Sequence, residues 1–280
     1  MPVAQLDRAF ACGAKGRRFE SCRAYHIPRN QKRPPGLFLC YNRAMSSKSQ
    51  KLHAKLLNTY YGRPIKDMKL IAITGTTGKT TVAHFVHEIL KAAGEQVAVL
   101  ASDQPFKVSM LHKFLSDAWK AGANYIIVTT PVKSLAANVF YDLPVHIAAM
   151  TNFVTSSLTD MSPKEYLDNE KTLFDMKPEI VILNHDDMNY ETFQSFKGKK
   201  STFTFGKQDS DIKILTSKLY KKGTEVTISV NSDIISIASF IPGETTVSYM
   251  ASAAAIAHSL GIKNNHIIDG IANYDPEVAL

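Results

Sequence analysis

Lys69-Leu70-Ile71-Ala72-Ile73-Thr74-Gly75-Thr76-Thr77-Gly78-Lys79-Thr80-Thr81 is an apolar run that passes into a glycine-spaced loop and then into a helical segment. That order of strand, loop and helix is what a phosphate site needs. Glycines let the backbone approach a phosphate, and the N–H groups at the helix start stabilise its charge. A lysine reaches the β/γ oxygens, and the hydroxyl after it can ligate Mg²⁺. Gly75, Thr76, Thr77, Gly78, Lys79, Thr80 and Thr81 are therefore the expected ATP-binding residues, with Lys79 also catalytic and Thr80 also a metal ligand. The competing reading of the same residues is a structural glycine turn.

Working outward, further short apolar runs alternate with segments of helical period: QVAVLA (96–101), YIIVTT (125–130), HIAAMT (146–151) and EIVILN (179–184). Continuous apolar runs, rather than alternating ones, mark strands of a parallel sheet covered on both faces. The expected fold class is α/β, a doubly wound, mostly parallel sheet carrying the P-loop. Residues 201–242 break the rhythm with STFTFG, DIKILTSKLY, TEVTISV and DIISIASFI between turn signals, and predict a small antiparallel β meander. An alanine-rich helix is expected at about 245–260.

The chain has 280 residues and a formal charge of +8, which invites a nucleic-acid reading. The charge is unevenly placed. Residues 1–44 hold nine of the 33 Lys/Arg against Asp7 and Glu20, a net of +7, and leave +1 for residues 45–280. Cys12, Cys22 and Cys40 also lie in that first segment, without the paired spacing of a zinc site. With no thiol in residues 45–280, cysteine catalysis and a disulfide framework are excluded there. Residues 1–44 lack apolar periodicity and predict a disordered basic extension. VAQLDRAFACGAKGRRFESCRAYH resembles a translated transfer-RNA gene, with Met45 as the expected start; a basic targeting or nucleic-acid arm is the rival reading. No run reaches the roughly 20 apolar residues that span a bilayer. The expectation is a cytoplasmic protein with no nucleic-acid or membrane partner.

The loop is short: glycine would stand five residues before Gly78 in G-x-x-x-x-G-K-S/T, where this chain has Ile73. T-G-T-x-G-K-T resembles the loop of Mur ligases and folylpolyglutamate synthases, which join an amino acid to a carboxylate through an acyl phosphate. Other stretches are similar to the Mur ligases in particular. They are Tyr60-Tyr61-Gly62-Arg63-Pro64 before the first strand, Thr151-Asn152, the helix over Glu165–Phe174, Asn184-His185-Asp186-Asp187 and the segment from Gly243 to Gly261. The resemblance covers about residues 58–280 and is nearest to ligases that extend UDP-N-acetylmuramoyl-dipeptide. It implies ATP and Mg²⁺ as cofactors and a UDP-muramoyl peptide as substrate partner. It also implies Asn152 as a substrate residue, and Lys171, at the place of a carbamylated lysine, as a catalytic and metal residue. Ser162-Pro163-Lys164-Glu165 independently reads as a capping box with proline at N1, which sets Lys171 on the flank of the inward face; a solvated lysine is the alternative.

Several family positions differ. Thr129 stands where a Mg²⁺-binding glutamate is expected, and Pro131-Val132-Lys133 replaces Ser-Ser-His. Val154-Thr155-Ser156-Ser157 replaces a segment with an Asp-His pair. Val139 stands for a substrate-contacting arginine, Asp103-Gln104-Pro105 for a Thr-Thr-Pro substrate loop, and Tyr249 for an asparagine near adenine. The expectation is an incomplete metal site at which Mg²⁺ adds little. Residues 45–68 are expected to be the linker from an N-terminal domain, and residues 69–280 the central domain. Asp275-Pro276-Glu277 falls where the family's linker to a C-terminal ligase domain begins, so a separate chain supplying missing domains is a further expected partner. Three functions follow in order: an ATP-dependent amide ligase or a piece of one, a non-catalytic nucleotide- or partner-binding module, and another P-loop ATPase or kinase.

Overall fold

The computed structural model describes residues 46–157 and 161–276. The expectations for residues 1–44 and the start at Met45 lie outside the described residues. Helix α1 (Ser47–Tyr60) begins the described chain, capped by the Ser46 hydroxyl, and buries Ala54, Leu57 and Asn58. The strand after it, β1 (Lys69–Thr74), runs into α2 (Lys79–Ala92) through the glycine loop. Then come β2 (Val97–Leu100), α3 (Val108–Lys120), β3 (Tyr125–Thr129), α4 (Val132–Ala136), β4 (Ile147–Met150), α5 (Pro163–Asp175), β5 (Ile180–Asn184) and α6 (Tyr190–Phe193). The last elements are β6 (Ser201–Gly206), β7 (Ile212–Tyr220), β8 (Gly223–Val230), β9 (Asp233–Ser239), α7 (Glu244–Ser259) and α8 (Asn264–Asn273).

The nine strands form one sheet in the order β2-β3-β1-β4-β5-β6-β7-β8-β9. It is an α/β fold, parallel from β2 to β7 and antiparallel across β7, β8 and β9. Side-chain alternation along β1 explains the two layers that cover it. Ile71 and Ile73 face a core shared with Phe85, Val86 and Ile89 of α2 and with the alanines of α7. Leu70 and Ala72 face the opposite core, with Leu57, Leu111, Leu115, Leu173 and Phe174. All five parallel strands named from the sequence are present, within a residue or so at each end.

The meander needs a correction. STFTFG is not part of it: β6 pairs in parallel with β5 from Ile180↔Ser201 to Asn184↔Phe205. Its Thr/Phe alternation reflects one buried face, since Phe205 is in the core and Phe203 packs against it, rather than antiparallel pairing. Two residue pairs then join β6 to β7 in parallel, and the antiparallel part starts at Ile212.

Candidate functional site

The loop between β1 and α2 is held in shape chiefly from the next strand of the sheet. Thr151, buried at the end of β4, bonds through Oγ1 to the carbonyls of Thr74 and Thr77 at 3.1 and 2.8 Å. Asn152 follows. Its backbone carbonyl accepts from Thr76 N, and its Oδ1 accepts from Thr76 Oγ1 (2.9 Å), Thr77 N (3.1 Å) and Thr77 Oγ1 (3.1 Å). Gly75 stands at φ 124° against Thr151 and the Asn152 backbone, so a Cβ there has no space. The side-chain oxygen of Asn152, a residue expected at substrate, is thus engaged by the loop itself.

Gly78 caps α2, and Val82 N is the first to close an intrahelical bond, onto Gly78 O. The N–H groups before it are the free donors of a helix N-terminus, where the dipole also favours an anion. Lys79 is buried, 7% exposed, and donates from Nζ to Gly75 O (2.9 Å) and Thr76 O (3.3 Å). A buried ammonium folded back onto its own loop is poised to exchange those carbonyls for phosphate oxygens. Thr80 Oγ1 lies 3.4 Å from Asp103 Oδ1, and Lys79 Nζ lies 3.8 Å from the same oxygen.

From α5 the structure brings Glu170, not Lys171, to the loop. The Ser162 hydroxyl accepts from Glu165 N with Pro163 at the helix start, as the capping box requires. The inward stripe is then Tyr166, Glu170, Leu173 and Phe174. Glu170 is fully buried against the Thr74 hydroxyl, with Oε1 unpartnered. Burial pushes its carboxyl up to about 7, against the opposing pull of the Thr74 hydroxyl and the Lys79 ammonium. Tyr166 donates to Gly75 O at 3.2 Å. Lys171 instead pairs with Asp168 one turn back, at 3.1 Å, with a third of its side chain exposed.

The remaining expected positions make contacts within the fold. Asn184 donates to Thr151 O and accepts from Asp186 N; Asp187 accepts from Phe153 N and Asn189 N, and Asp186 from Lys207 N. Val139 is buried in the core. The Thr129 hydroxyl accepts from Ser102 N (2.7 Å) and donates to Ser102 O (2.9 Å), pinning the loop after β2. Tyr249 of α7 reaches the P-loop itself: its hydroxyl is 3.2 Å from Thr77 Oγ1. Thr151 stood in a family-like motif without a role of its own, and Glu170 and Tyr166 are site residues that the sequence motifs did not single out.

A strand, a short glycine loop, a buried lysine and a helix N-terminus within a doubly wound sheet define a P-loop phosphate-binding domain. Residues 73–257 match the Mur ligase middle domain, and the chain belongs to that family. It is 28% identical over 214 residues to the UDP-N-acetylmuramoyl-L-alanyl-D-glutamate--2,6-diaminopimelate ligase of Clostridium tetani, covering 71% of this chain and 44% of the relative. A solved structure of a ligase of that name superposes with a TM-score of 0.72 at 17% identity, over 82% of this chain and 50% of the other. The Mycobacterium tuberculosis folylpolyglutamate synthase, solved with ADP and AMPPCP, gives 0.64 at 12% identity, over 80% and 63%. The chain thus spans about half the length of the curated relatives it matches.

Proposed function

We propose that this chain is the ATP-binding part of an ATP-dependent amide ligase of peptidoglycan precursor synthesis, acting on a UDP-N-acetylmuramoyl peptide and an amino acid in the cytoplasm. The reaction would transfer the γ-phosphoryl group of ATP to a substrate carboxylate, giving an acyl phosphate and ADP. The amine then attacks the acyl carbon, forming the amide and releasing phosphate. The observation that carries the reading is the preformed loop: Gly75 and Gly78 at positive φ, Lys79 buried behind them, and Asn152 bracing Thr76 and Thr77. Family membership supports the ligase class. Among the described residues no helix is long and apolar enough to cross a membrane.

A second reading, a nucleotide-binding module without turnover, is favoured by one observation. Thr129, at the place of the expected glutamate, spends its hydroxyl on Ser102. Calorimetric titration with ATP and ADP tests the shared part of both readings. Binding by the full chain, lost in Lys79→Ala, supports the loop as the nucleotide site, and no binding sinks it. Phosphate release with a UDP-muramoyl peptide and an amino acid then separates ligase from module.

A further inference from the structure

A metal ion at this loop has to be judged from the oxygens present. Among the described residues no group of three or more His, Cys, Asp or Glu would hold an ion unaided. What the loop mouth does offer is one hydroxyl and one carboxylate, Thr80 Oγ1 and Asp103 Oδ1, 3.4 Å apart. Adjacent oxygens of an octahedral Mg²⁺ shell at about 2.1 Å stand roughly 3 Å apart, so a small approach of either side chain makes them neighbours in one shell. Both are hard oxygen donors. The pair fits an ion that keeps waters and takes its other ligands from phosphates.

Asp103 is 71% exposed at its side chain, yet its backbone is not free. On one side Ser102 is fixed through both backbone groups to Thr129 at the end of β3. On the other, Phe106 N donates to Ser134 Oγ of α4 at 3.1 Å. The Ser102 hydroxyl closes the turn between them, donating to Gln104 O and accepting from Gln104 N. The threonine found in place of a carboxylate therefore holds the neighbouring loop so that a different carboxylate faces the phosphate site. Charge argues in the same direction. Asp103 lies within 3.8 Å of Lys79 Nζ, and a polyphosphate drawing Lys79 away would leave this carboxylate facing like charge. A divalent cation between them removes that conflict.

We propose that Asp103 and Thr80 hold the divalent cation of a bound nucleoside triphosphate, with Thr129 as the positioning residue that fixes the Asp103 loop. This rests on the nucleotide reading above and reverses the expectation, drawn from Thr129 alone, that Mg²⁺ adds little. The cation enters with the nucleotide, because the protein supplies only two of its ligands.

The test is calorimetric titration of the full chain with ATP in EDTA and in Mg²⁺, together with electron paramagnetic resonance of Mn²⁺ in the presence of ATP. For the unsubstituted protein we expect Mg²⁺ to tighten ATP binding about ten-fold or more and one Mn²⁺ to bind per chain. Asp103→Asn should bind ATP in EDTA at least as tightly, because the like charge facing the phosphates is gone, but should lose the Mg²⁺ gain and leave Mn²⁺ on nucleotide in solution rather than on the chain. Thr129→Val should reduce the gain without changing the EDTA affinity. Equal ATP affinity with and without Mg²⁺, or an Asp103→Asn protein that keeps the full gain, overturns the assignment while leaving nucleotide binding intact. Tighter ATP binding by Asp103→Asn in both buffers also overturns it, since Asp103 would then act as a plug on Lys79. No ATP binding in either buffer defeats the nucleotide reading itself.

Discussion

The Tyr249 hydroxyl sits 3.2 Å from Thr77 Oγ1, and the same ring fills the space into which a Cβ on Gly78 would project. Helix α7 therefore closes on the phosphate loop through an aromatic side chain. The loop is bounded by β4 on one side and by this tyrosine on another.

Gly78→Ala should consequently fail twice, through the ring and through the backbone. Its φ of 80° costs an alanine about 1–2 kcal/mol by itself. Adding Tyr249→Ala should recover the part due to the ring and leave the backbone part, a non-additive cycle in urea denaturation. Strict additivity of the two substitutions would show that the ring and the glycine do not compete for space.

Glu170 should make the protein less stable as pH rises. Its carboxyl titrates at about 7 in the folded chain against an ordinary value of 4.5. Between those values the unfolded chain loses the proton and the folded chain keeps it. Stability is thus full below pH 4.5, falls through the window and levels off above 7, by on the order of 3 kcal/mol. Glu170→Gln should remove this slope and stabilise the protein at pH 8. Denaturation curves between pH 4 and 8 decide it, and an unchanged slope in the variant would refute the assignment.

His112 should act in the opposite direction. It is fully buried on α3, stacked on Tyr61, with neither ring nitrogen hydrogen-bonded, and burial lowers its pKa from 6.5 to about 4. As pH falls through that window the unfolded chain takes up the proton first, so stability is lost on acidification. His112→Phe should abolish the loss. Because the two windows overlap, their contributions oppose one another between about pH 4.5 and 6.5, in addition to the acid-side losses from His84 and His146, whose pKa values burial also lowers. The two single substitutions should shift the slope of the unsubstituted protein in opposite directions, and shifts in the same direction would contradict both assignments.

Asn152 and Lys171 should separate cleanly in a binding assay. Asn152→Ala strips Thr77 N and two hydroxyls of their acceptor, so a stability loss of about 1–3 kcal/mol and weaker ATP binding are expected. Lys171→Ala removes only a partly exposed pair with Asp168, worth under about 1 kcal/mol, and should leave ATP affinity within two-fold. A large affinity loss in Lys171→Ala would restore that lysine to the site.

The parallel strands and the loop were legible because each is a local pattern: an apolar run, or glycines placed ahead of a lysine. The β6 pairing was not, since Ser201–Gly206 has the alternation of an antiparallel strand and only its place beside β5 decides otherwise. Glu170 carried a readable signal, a carboxylate in the stripe Tyr166-Glu170-Leu173-Phe174, whereas the family resemblance points to the lysine beside it. Asp103 was legible only as part of a substituted substrate loop, with nothing local to mark it as facing Thr80. Its position comes from the bonds of Thr129 to Ser102, which join residues 27 apart in the chain.

Thr151, Asn152, Tyr166 and Glu170 bind the phosphate loop to β4 and α5. The loop is therefore a keystone of the architecture as well as a place for a ligand. Damage to it would lower the amount of folded protein in a cell before any question of turnover arose. Natural selection on abundance alone can thus keep Thr74–Thr81 intact, and persistence of the motif in a lineage is no measure of the chemistry still carried out there.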